Sequence, residues 1–230
     1  MIPLRDDAPH YTTPWVNYFL IALNTLVFFF ELTLNPHSLN AFIFSFGMVP
    51  AHITGAVRAG AYAAGVVPIL TSMFMHAGWL HIIFNMWWLW IFGDNVEDSL
   101  GHFPYLVFYL LSGLGAALVH IMFNWGSRVP SVGASGAIAG VMGAYFVLFP
   151  SARVLTFVFV FFTWLPAWLI LGYWFVLQFL SGAATSLAAG GQGSAGGVAV
   201  WAHVGGFLTG VVMVKVFPRR APRYRFRAWQ

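Results

Sequence analysis

The chain has 230 residues, of which 60% are hydrophobic and only 7% charged, a balance that excludes a soluble globular domain and defines an integral membrane protein. It has no cysteine, so a disulfide framework, a thiolate metal site and a cysteine nucleophile are all excluded. The net charge of +4 is no nucleic-acid signature, because six of the ten basic residues, Lys215, Arg219, Arg220, Arg223, Arg225 and Arg227, follow the last apolar stretch and read as a topology signal.

Residues 1–14 carry Arg5, Asp6 and Asp7 and lack the short apolar core and small-residue cleavage site of a signal peptide, so they are expected to be a retained cytoplasmic segment. Six apolar segments follow, near 15–34, 75–93, 104–124, 135–149, 154–180 and 199–217. Each is expected to cross the membrane as a helix, which predicts an all-α bundle over 15–217 followed by a basic cytoplasmic tail at 218–230. The long connection 35–74 holds Phe42, Phe44, Phe46 and Tyr62; it is too apolar for a free linker and is expected to lie in the interface as part of the fold. The fifth connection, 181–198, is rich in Gly, Ala and Ser and is expected to be a mobile cap over any cavity beneath it. No internal repeat or second domain is visible.

Lys and Arg set the orientation. The C-terminal tail belongs in the cytoplasm, and six spans return the N-terminus to the same side. Arg58 and Arg128 are then the only basic residues outside. On this topology Ser135 opens the fourth span and His203 lies early in the sixth, both in the outer half of the membrane. Between Ser135 and Pro150 the fourth span covers roughly 22 Å of a hydrocarbon core about 30 Å thick, so the serine starts below the outer surface. A helix end at that depth requires a water-containing cavity.

Polar groups retained at bilayer depth usually face the protein interior and carry function. Gly133-Ala134-Ser135-Gly136 places a serine where an irregular stretch turns into an apolar helix. Its small residues also read as a packing face: Gly136, Gly140 and Gly143 line one side of the fourth span, and Ala202, Gly206 and Gly210 recur every fourth residue of the sixth. If the two ridges face each other, His203 comes within reach of Ser135 as a general base. All acids but Glu31 fall on the cytoplasmic side, so the economical unit is a Ser-His dyad. His81 and Asn85, at i and i+4 of the second span, share one face in the outer half. They read either as an interhelical hydrogen-bond pair or, with the Ser135 amide, as donors for an oxyanion. His76 and His81 diverge around the helix with no acid to complete a metal set. His120 reads as a packing or interface residue.

Together these residues resemble the rhomboid family of intramembrane serine proteases across all six spans. His81-Ile82-Ile83-Phe84-Asn85 matches the family's His-x-x-x-Asn, Gly133-Ala134-Ser135-Gly136 its Gly-x-Ser-Gly, and Ala202-His203-Val204-Gly205-Gly206 with Gly210 its Ala-His-x-x-Gly-x-x-x-Gly. The resemblance implies a six-helix rhomboid-like bundle with Ser135 as nucleophile, His203 as base, and Asn85, His81 and the Ser135 amide as oxyanion donors. It implies structural roles for His76, which would support the first outer connection, and for Glu97, which would tie the inner helix ends together. It further implies transmembrane protein substrates, with no metal, no cofactor and no nucleic acid. Two positions depart from the family: Ala139 stands where some members carry an aromatic that stacks on the base, so another group must orient His203, and Pro68-Ile69-Leu70 stands where members often carry an arginine. The rival readings are an inactive rhomboid-like protein that binds membrane helices, which has no need of all four polar residues, and a small-solute transporter, which would need matching interrupted helices in two halves.

Overall fold

The computed structural model describes residues 1–188, 199–218 and 220. Nine helices and three strands run in the order β1 (Ile2–Asp6), α1 (Trp15–Thr33), α2 (Pro36–Phe46), α3 (Pro50–Arg58), α4 (Tyr62–Ser72), α5 (Trp79–Leu100), α6 (His102–Phe123), α7 (Ser135–Leu148), β2 (Arg153–Val158), β3 (Phe161–Pro166), α8 (Ala167–Ala188) and α9 (Val200–Met213) among these residues. The protein is thus mostly helical. α1, α6 and α8 are each long and apolar enough to cross a membrane, and α4, α7 and α9 are shorter apolar helices. α5 is 22 residues long, as long as α6 and α8, but carries Asp94, Glu97 and Asp98 in its last two turns. Several apolar helices with aromatic side chains exposed on their outer faces, such as Phe19 and Phe29 on α1 and Trp90 on α5, define an integral, multi-pass membrane protein.

α7 is the central helix, buried continuously from Gly136 to Tyr145. It lies between α9 on one side and α5 and α6 on the others. The two small-residue ridges do face each other: a Cβ at Gly206 would overlap the Gly136 carbonyl, and one at Gly210 the Gly140 carbonyl. Only hydrogen atoms fit at these crossings, which is how membrane helices without a hydrophobic drive between them gain contact. Ser112 and Ala116 of α6 fill the remaining side of the ridge, against Gly140 and Gly136 respectively.

The inner end of the bundle is held by polar groups. α5 passes to α6 through Gly101 alone, at φ +89, where a side chain would be strained and would meet the Arg220 guanidinium. The Glu97 carboxylate, fully buried, accepts the amide N–H groups of Val16 at 3.0 Å and Asn17 at 2.7 Å and also meets His102 Nδ1. These amides belong to the first turn of α1, which has no side-chain cap of its own, so Glu97 supplies the missing acceptor from a neighbouring helix and matches the positive end of its dipole. Asn17 continues the link: its Nδ2 donates to the Leu89 carbonyl at 3.1 Å and its Oδ1 accepts from Tyr105 Oη at 2.9 Å. Glu97→Ala strips two buried amides of their acceptor and should lower stability by roughly 2–3 kcal/mol, read as a fall in thermal midpoint of the detergent-solubilised protein. Unchanged stability would mean that water replaces the carboxylate.

Three expectations are corrected. The fifth apolar segment is not one helix from 154 to 180: residues 153–166 form a β-hairpin and α8 begins at Ala167. β1 joins the hairpin, giving an antiparallel sheet of order β1-β2-β3, so the fold is not purely α, and residues 2–6 form an edge strand of the sheet. The run Arg153-Val154-Leu155-Thr156-Phe157-Val158 is rich in β-branched and aromatic residues, and Val154 and Thr156, fully buried, point to one face as a period of two requires. Finally, α8 continues through Ser181–Ala188. Only the first eight residues of the expected cap are therefore described, and they are helical; residues 189–198 lie outside the described residues. The long connection 35–74 is part of the fold, as α2, α3 and α4 with Ile53 and Ile69 in a small core against α6.

Candidate active site

Ser135 is the first residue of α7. The turn that delivers it requires glycine at 133, where φ is +133 and a Cβ would stand 2.8 Å from His81 Cε1 and Nε2 and 3.6 Å from Ser135 Oγ. The same distances show how closely the His81 ring and the serine hydroxyl flank this turn. The Gly133 amide is anchored to the Ser72 carbonyl at 2.9 Å. Because Ala134 brings no side-chain cap, the Ser135 amide is one of the donors that a helix start leaves open.

A cavity of about 540 Å³ opens above this turn, and Ser135, His203, His81 and Asn85 all line it. The ridge contact explains the meeting of α7 and α9: with Gly206 against Gly136, His203 lies nearly one turn earlier on α9, beside the start of α7. No hydrogen bond joins Ser135 Oγ to His203 in this structure. The two are brought to one cavity but not into a hydrogen bond, a looseness common before substrate binds.

His81 Nδ1 accepts a long hydrogen bond from the Ala77 amide at 3.4 Å, an arrangement that favours the hydrogen on Nε2, the ring atom beside Gly133. Asn85 is 7% exposed, and its Nδ2 has no protein acceptor among the described residues. Two N–H donors and an open helix amide thus line the same cavity as the hydroxyl. His76 lies outside this group; its ring packs edge-on to His81 with centroids 5.1 Å apart, and its backbone amide donates to Glu31 at 3.1 Å, tying the turn before α5 to α1. Glu31 is therefore committed to His76 and not to His203. Among the described residues no three His, Asp or Glu side chains could hold a metal ion.

His203 is held from α8. Its Nδ1 meets Gln178 Oε1 at 2.9 Å, and the Trp174 ring lies beside it with centroids 5.7 Å apart. The sequence reading missed both, although Trp174 and Gln178 are four apart and share a helix face. It read His120 as a packing or interface residue; His120 and Asn124 of α6 line the same cavity, with Asn124 Nδ2 donating to the His120 carbonyl at 2.9 Å. Their i, i+4 spacing, the same as that of His81 and Asn85, was the available signal.

A multi-pass helical bundle in which Ser135 shares one cavity with three histidines, His81, His120 and His203, and two asparagines, Asn85 and Asn124, defines the class to which comparisons can be made. Residues 63–220 match the Rhomboid domain, and the chain belongs to the rhomboid family. It is 32% identical over 173 residues to Rhomboid protein 1, mitochondrial, of Saccharomyces cerevisiae, covering 74% of this chain and 47% of that protein. Over 132 residues it is 35% identical to Rhomboid protease GluP of Bacillus subtilis, which is 57% of this chain and 24% of that protein. RHOMBOID-like protein 6, mitochondrial, of Arabidopsis thaliana is 40% identical over 76 residues, 33% of this chain and 24% of that protein. The chain spans between about a quarter and a half of the length of these relatives.

Proposed function

We propose that this protein is a serine-type intramembrane endopeptidase that hydrolyses peptide bonds in or near transmembrane segments of other membrane proteins through a Ser135-His203 dyad. The observation that carries the reading is the convergence of Ser135, His203, His81 and Asn85 on one cavity. Family membership and the protease named among its relatives support it.

In this mechanism His203 Nε2 takes the proton as Ser135 Oγ attacks the scissile carbonyl carbon. The His81 Nε2–H, the Asn85 Nδ2–H and the Ser135 amide receive the oxyanion. His203 then returns the proton to the departing amine, leaving an acyl-enzyme, and water activated by the same imidazole releases the serine. The cavity supplies that water below the membrane surface. By the distribution of Lys and Arg, both termini face the cytoplasm and the cavity opens to the outer side. The family resemblance points to single-span substrates whose helices unwind easily and carry a small residue before the scissile bond.

The test is cleavage of a single-span reporter by the purified, reconstituted protein. Asn85→Ala and His81→Ala should each reduce turnover about a hundredfold to a thousandfold, the usual cost of an oxyanion donor, with little change in KM. Normal turnover in folded variants would make both residues interhelical hydrogen-bond partners only. Absence of cleavage of any single-span reporter by the wild type would favour the inactive, helix-binding alternative.

A further inference from the structure

Ala139, fully buried on α7, has no ring or polar group to offer the His203 imidazole. The support comes from α8 instead. Along the α8–α9 seam, Phe175 stacks on Phe207 at 4.7 Å, Trp174 lies against His203, Gln178 meets His203 Nδ1, and Trp201 packs over Gly182 with its indole N–H donating to Ser186 Oγ at 3.0 Å. The seam is antiparallel and in register on both sides of the histidine. Gln178 is the one side chain within it that forms a hydrogen bond with the imidazole.

We propose that Gln178 is the positioning residue for the His203 base: its amide oxygen fixes the Nδ1–H tautomer and turns Nε2 toward Ser135, while Trp174 limits rotation of the ring. This rests on the dyad reading above. An amide oxygen can only accept, so the 2.9 Å contact requires the hydrogen on Nδ1. Neutral imidazole carries one hydrogen, so the Nε2 lone pair is left to receive the serine proton, and the identity of the free nitrogen is set by the bond the other one makes. The base itself changes no partner during turnover: Nδ1–H stays on Gln178 while Nε2 gains and returns a proton.

Gln178→Leu keeps a side chain of comparable bulk, one bond shorter, and removes the acceptor. It should lower kcat by about tenfold to a hundredfold, a portion of what a general base contributes, with KM within about twofold and the thermal midpoint unchanged. Gln178→Glu restores an acceptor oxygen at the same reach and should recover most of the loss, whereas Gln178→Asn is a carbon short and should not. Nitrogen-15 NMR of histidine-labelled full-length protein in detergent, with the His203 signals assigned by their loss in His203→Ala, should show Nδ1–H in the wild type and a shift toward Nε2–H in Gln178→Leu. This readout needs no catalysis, so it separates failure of the positioning role from failure of the protease reading. An Nε2–H tautomer in the wild type, or a kcat for Gln178→Leu within twofold of wild type, would overturn the proposal.

Discussion

Ser135→Ala and His203→Ala should each reduce cleavage of a reconstituted single-span substrate to background, a loss on the order of ten-thousandfold or more, and the double variant should be no slower than either single one. The non-additivity follows from how the two residues act. A serine hydroxyl at neutral pH is a weak nucleophile until its proton has somewhere to go, and an imidazole beside no nucleophile has nothing to activate. Each residue alone is therefore worth little, so removing the second costs nothing further. Both variants should fold: Ser135 Oγ makes no hydrogen bond among the described residues, His203→Ala gives up only the Gln178 bond and the Trp174 contact at the α8–α9 seam, and the ridge that joins α7 to α9 consists of other residues. Full activity in either single variant would dissolve the dyad and leave the cavity as a binding site.

The largest effect on stability should come from Gly206→Ala. The added methyl would overlap the Gly136 carbonyl oxygen and lie 2.9 Å from its carbon, and since both are backbone atoms no rotamer change relieves the contact. α9 must move away from α7, which surrenders the packing on both sides of the crossing and costs about 3 kcal/mol, the upper range for overpacking a close-fitted interior. Activity should fall with it, because the same crossing sets the distance between His203 and Ser135. Gly55→Ala is the matched control: a Cβ there meets nothing within 4 Å on α3, so the variant should be neutral or stabilised by about 0.5–1 kcal/mol through helix propensity. Thermal unfolding in detergent measures both. Equal midpoints for the two variants would mean that the ridge is not closely packed.

The contrast between those two glycines also indicates what the sequence discloses. The repeat of Ala202, Gly206 and Gly210 was legible as a close-approach ridge because spacing alone puts those residues on one helix face, and the facing ridge of Gly136, Gly140 and Gly143 gave it a partner. That Ser135, His203, His81 and Asn85 line one cavity was legible for a related reason: polar side chains in apolar helices are few, and their positions within the apolar segments place them near the same end of the bundle. The hairpin at 153–166 was not legible. Its apolar run has the length and hydropathy of a span, and the turn at Phe159-Val160 uses neither glycine nor asparagine, although Phe159 takes φ +53, so the usual punctuation between two strands is missing. Pairing with residues 2–6, some 150 residues away in sequence, is what selects strand over helix there, and such a long-range contact has no local signature. Gln178 escaped for a different reason. A single glutamine on a helix exposed over much of its surface reads as unremarkable until its neighbour across the seam is seen to be His203.

The most direct measurement of the central claim is labelling of the folded protein in detergent by a small fluorophosphonate, followed by mass spectrometry of its peptides. The expected result is a single adduct on Ser135 in the wild type, lost in Ser135→Ala and strongly slowed in His203→Ala. An adduct on another residue, or a rate of labelling at Ser135 that is unchanged when His203 is removed, would contradict the assignment of Ser135 and His203 as nucleophile and base.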